Sequence, residues 1–120
     1  MKKVVLIAFV LCTILATPAF FAAAAEETTL SGEPVDISCY LSGKEGEGHA
    51  ACATACANKG QPIGLKVTDG DTTELYLVIG GHGKAAKDLM ASHMGKQVKV
   101  TGEVSDKEGM KVITVSAVEG

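Results

Sequence analysis

The strongest constraint on the fold is an alternation of apolar and polar residues with a period of two, repeated in short runs. Leu65 and Val67 alternate with Lys66 and Thr68, and the apolar stretch Glu74 to Ile79 follows after Gly70-Asp71. Gln97 to Val104 places Val98, Val100, Gly102 and Val104 on one side, and Met110 to Val118 does the same with Ile113, Val115 and Ala117. Side chains of a strand point to opposite faces in turn, so each run reads as a half-buried strand. Gly70-Asp71 supplies turn chemistry for a hairpin, and Ser105 to Gly109 makes a second polar turn. A further run comes earlier, where Val35, Ile37 and Cys39 alternate with Asp36, Ser38 and Tyr40. It predicts a first strand with Cys39 on the inward face at its end, preceded by a frayed polar stretch over 26–33.

Two segments break the strand pattern. From His49 to Ala57 the residues are almost all Ala, Cys or Thr, a short run of small helix-compatible side chains closed by Lys59, Gly60 and Pro62. Gly80-Gly81-His82-Gly83 reads as a turn, and Lys84 to Met94 then carries Ala85, Leu89 and Met90 at helical spacing until Gly95 stops it. The order predicts a mainly β protein: five short antiparallel strands in an OB-like barrel, a helical insert after strand 1 and a helix between strands 3 and 4. Met90 and Met94 are expected to plug one end of that barrel.

The amino terminus sets the compartment. Lys2 and Lys3 precede an apolar run from Val4 to Leu15, and small residues end at Ala25 after Ala23, the pattern of a cleaved secretory signal over 1–25. Pro18 interrupts the segment, which is short of the ~20 apolar residues a spanning helix needs. The chain is therefore expected to be periplasmic or secreted, without stable membrane insertion. Cys12 would leave with the signal. Residues 26–120 would form a single domain, 95 of the 120 residues, with a cysteine-rich insert over 40–61. Loss of Lys2 and Lys3 takes 11 basic residues to 9 against 14 acidic ones, a net charge of −5. Phe9, Phe20 and Phe21 leave too, so only Tyr40 and Tyr76 remain to stack on bases, and a nucleic-acid partner is disfavoured.

The insert carries the chemistry. Cys39, His49, Cys52 and Cys56 fall within eighteen residues, after the glycines at 43, 46 and 48 let the chain turn back. If residues 49–59 are helical, an advance of about 100° per residue puts His49, Cys52 and Cys56 within about 60° of arc. Sulfur and imidazole select Zn(II) and Cu(I) and exclude the oxygen-seeking Mg and Ca. Cys39 with the three helical residues would make a Cys₃His set known for zinc, and the thiolates alone would suit Cu(I). A place near the helix amino end favours the thiolate form of Cys52. The alanines at 50, 51, 53, 55 and 57 are expected to leave the sulfurs open for metal exchange.

Two likenesses accompany this reading. Gln97-Val-Lys-Val-Thr-Gly-Glu-Val followed by Met110-Lys-Val-Ile-Thr-Val-Ser-Ala-Val resembles the C-terminal half of small exported bacterial OB-fold proteins. Asp36-Ile-Ser-Cys39-Tyr40, then His49-Ala-Ala-Cys52-Ala and Cys56, closed by Gly60-Gln-Pro62-Ile-Gly64, resembles a cysteine-rich insert in exported bacterial proteins without assigned activity. The second likeness implies a dedicated site and names no chemistry for it.

Three functions follow from the residues. The first is an exported protein that binds Zn or Cu(I) and stores it or delivers it to a metal-accepting or redox protein; it is not an enzyme. The second is a binding module stapled by a disulfide from Cys39 to Cys52 or Cys56, since exported small domains use such bridges. The third is a thiol redox partner, disfavoured because the spacing is C-x-x-x-C and not C-x-x-C. His82, Met90, His93 and Met94 could form a second soft-metal set, but Met90 and Met94 fit the core better. Asp69, Asp71 and Glu74 lack the spacing of a calcium loop.

Overall fold

The structure, a computed structural model, describes residues 26–120. The expected signal segment and Cys12 lie outside the described residues. Five strands, β1 (Glu27–Asp36), β2 (Ile63–Asp69), β3 (Thr72–Gly80), β4 (Val98–Lys107) and β5 (Met110–Glu119), close into a barrel in the order β1-β2-β3-β5-β4. Three short helices accompany them: α1 (Ile37–Leu41) and α2 (Ala50–Asn58) between β1 and β2, and α3 (Ala86–Met90) between β3 and β4. This is the expected OB-like barrel with its two helical excursions.

The alternation explains the core. Leu65, Val100, Ile113 and Val115 are fully buried, with Val35, Ile63, Tyr76, Val78 and Val98 beside them. Each such apolar side chain contributes about 1.5–3 kcal/mol on leaving water. Met90 and Met94 are 0% and 1% exposed and belong to the same core cluster. At Gly102 the chain passes so close to β5 that an added Cβ would clash with the Thr114 carbonyl oxygen. The β4–β5 register shifts between Thr101 and Gly102, at this point of close approach.

Four expectations are corrected. The strands are not all antiparallel: β3 pairs with β5 in parallel, through Leu77–Val112 to Gly80–Val115. The crossover through α3 is the cause, because β4 starts on the far side beside β1 and β5 returns along β3 to close the barrel. The stretch over 26–33 is not frayed, since Glu27 to Gly32 pair with Glu103 to Val98. The single helix over 84–94 is instead α3 followed by a separate 3-10 turn, Ala91–His93. Finally, Cys39 is not on a strand. Asp36 ends β1, and its Oδ1 accepts the Cys39 backbone N–H at 2.8 Å, so the chain enters helix α1 there.

Among the described residues no helix is long and apolar enough to cross a membrane.

Candidate metal centre

The insert, residues 37–62, leaves and re-enters the barrel at one place. Asp36 pairs with Ile63, and the Ile37 N–H donates to the Pro62 carbonyl at 3.1 Å, so both ends of a long loop are fixed side by side. Helix α1 rises at once from this base, which sets the height of Cys39. The returning arm, residues 42–49, is held by Glu33. One carboxylate oxygen accepts the Gly46 N–H at 2.8 Å and the other meets Lys66 Nζ at 3.0 Å, while Lys66 also bonds Glu45. Gly95 presses against the same arm, at φ +73, with space so limited that a Cβ would lie 2.8 Å from the Gly46 carbonyl oxygen.

Helix α2 then lies on the barrel end by its smallest side chains. Ala53 and Ala57, one turn apart, are 5% and 0% exposed, and Thr54 Oγ1 donates to the Ala91 carbonyl at 3.1 Å. These two alanines therefore serve close packing rather than open sulfurs, while Ala51 and Ala55 face solvent. Cys52 and Cys56 precede the buried pair by one residue each. That offset turns them about 100° from the packed face, toward α1. Gly60, at φ +87, ends the helix; its N–H bonds the Ala57 carbonyl and the Gln61 N–H bonds that of Cys56.

The result is a convergence of three thiols. The sulfurs of Cys39, Cys52 and Cys56 all lie within 4.8 Å of one another. Cys52 is exposed, and Cys39 and Cys56 are half-buried, so the group opens to solvent on one side. All three are free cysteines. The Asp36 carboxylate dominates the electrostatics: its hydrogen bond to the thiol, then burial, then its charge push Cys39 up from 9.0 to about 11. Burial, Cys52 and Asp36 also raise Cys56, against a smaller opposing effect of Lys59. An incoming cation must displace these protons, and in exchange it neutralises the crowded negative charge.

Of the four residues singled out in the sequence, the structure brings together the three cysteines and leaves His49 apart from them. Helix α2 begins at Ala50, and His49 ends a 3-10 turn, Glu47–His49, so the assumed helical face does not extend back to it. His49 instead lines a small cavity under the loop, and its Nε2 is buried without a partner. Sequence reasoning did not single out Asp36 as part of the site. Its signal was present, an Asp directly before a short run that ends in Gly43, but the apolar alternation across it masked the helix cap. His82 and His93 lie elsewhere, and Met90 and Met94 belong to the core. Comparison with protein-family models, with curated proteins and with solved structures finds no match.

Proposed function

We propose that this chain is an exported soft-metal-binding protein that holds Zn(II) or Cu(I) through Cys39, Cys52 and Cys56, for storage or delivery rather than catalysis. The observation that carries the reading is the convergence of three sulfurs from two helices within 4.8 Å. Thiolates select soft cations. Three donors complete the sphere of a three-coordinate Cu(I), whereas Zn(II) would add a fourth ligand such as water. The exposed Cys52 gives an acceptor protein a sulfur to approach for ligand exchange. A thiol redox role is less favoured, because the upward shifts at Cys39 and Cys56 lower the thiolate fraction that nucleophilic exchange requires.

The test is metal analysis of the 26–120 chain purified without oxygen and titrated with Zn(II) and with Cu(I). One equivalent of metal with all three thiols shielded from alkylation supports the reading. Cys56→Ser should reduce affinity by at least about a hundredfold, above the range set by losing outer partners alone. Reduced thiols that bind neither ion would overturn it.

A further inference from the structure

We propose that His49 is a positioning residue of the thiol site, acting through one buried water molecule held between its Nε2 and Oδ2 of Asp36. The consequence for metal binding rests on the function proposed above; the water bridge itself does not.

Two buried side-chain atoms among the described residues have no hydrogen-bond partner, and they are these two: Asp36 Oδ2 and His49 Nε2. Burial of such atoms without a partner is unfavourable, so native structures satisfy them with protein groups or ordered water. Neither atom bonds the other. Both residues line the same cavity of about 10 Å³, walled also by Glu33, Gly46, Ala53 and Gly95. That volume matches about one water, and two partnerless polar atoms from residues of the same lining meet the minimum a buried water needs. The water would donate to the carboxylate and bond the ring nitrogen on its other side.

The positions of the two residues give the bridge its meaning. Asp36 is the N-cap of α1, which carries Cys39, and it is 2% exposed. His49 stands at the N-cap of α2, which carries Cys52 and Cys56, and makes no side-chain bond to that helix. A water between them ties the starts of the two helices whose sulfurs must meet. Asp36 thus fixes Cys39 with one oxygen and the second helix with the other. The imidazole contributes no ligand in this arrangement; it sets the spacing of those that do.

Three variants and one spectrum decide the matter. In the wild-type chain, cross-relaxation from a long-lived water to the His49 ring, with nitrogen-15 shifts showing Nε2 engaged in a hydrogen bond, is expected. His49→Leu fills the cavity with an apolar group, and Cu(I) affinity measured by competition with a chelator should fall about 10–100-fold, the range for outer partners of metal ligands. His49→Gln, whose amide can hold the same water, should recover affinity to within a few-fold. Asp36→Leu also removes the α1 cap and should cost more than His49→Leu, but adding His49→Leu to it should lower affinity little further. Wild-type affinity in His49→Leu, equal loss in Leu and Gln variants, or a His49 Nε2 in free exchange with bulk solvent would each overturn the proposal. Should the leucine variants fail to fold, the wild-type spectrum and His49→Gln still decide it. A clear water signal in a chain that binds no metal would leave the bridge standing and defeat the metal reading alone.

Discussion

The barrel and the insert are built by opposite means. In the barrel, every strand has two hydrogen-bonded neighbours and an apolar face turned inward, and the order of the structure is set by burial of Leu65, Val100, Ile113 and Val115. In the insert, helices of five and nine residues are too short to stand alone in water. They are held by single groups: a cap at Asp36, a bond to Pro62, the Glu33–Gly46 contact and two buried alanines. The difference teaches that the stability of the platform and the geometry of the thiol cluster are carried by different residues here. Many interchangeable contacts make the platform, and a few irreplaceable ones bring three sulfurs together.

The comparison breaks first, if it breaks, in the barrel. Leu65→Ala removes a fully buried side chain and should lower unfolding free energy by about 2–5 kcal/mol in denaturant titration. Metal affinity per folded molecule should stay unchanged; a parallel loss of affinity would mean the two regions are not separable. Ala57→Leu sharpens the boundary between them. It forces bulk between α2 and the barrel, for about 1–3 kcal/mol of stability, and should also weaken metal binding because Cys56 moves with the helix. An unaffected affinity would show that the site does not depend on how α2 is seated.

The smallest effect concerns pH. The Asp36 carboxylate and burial push the Cys39 thiol up from an ordinary 9.0 to about 11, so the fold favours the protonated thiol. That preference adds stability at pH below the ordinary thiol value and is lost as pH rises through about 9 to about 11. Denaturation midpoints of the metal-free chain should decline across that window, and less steeply in Asp36→Asn, which removes the main cause of the shift. Equal slopes in both chains would show that the carboxylate is not the cause. Metal affinity should move the other way, rising with pH as fewer protons must be displaced.

The two regions also differ in how far their sequences disclose them. The barrel strands were legible because a period of two is written in each run, as in Val98-Lys-Val100-Thr-Gly102. Which strands lie side by side is not periodic information, so the parallel β3–β5 contact could not be read there. The polar start of β1 hid for a related reason: its pairing with β4 places Thr29 and Ser31 toward solvent, with little apolar content to reveal a strand. In the insert, the cysteines were legible as a group and their geometry was not. One side chain, Asp36, converts an apparent strand end into a helix. A 3-10 turn ends at His49 before α2 begins at Ala50, so the ideal helical spacing that would join it to the sulfurs does not hold there. Where single contacts decide the conformation, residue pattern is a weak guide.

The account turns on three sulfurs acting as the ligands while the nearby imidazole does not. X-ray absorption of the Cu(I)-loaded chain counts them directly. The expected spectrum has three sulfur neighbours and no imidazole scattering, unchanged in His49→Gln. A nitrogen neighbour lost in that variant, or only two sulfurs about the copper, would contradict it.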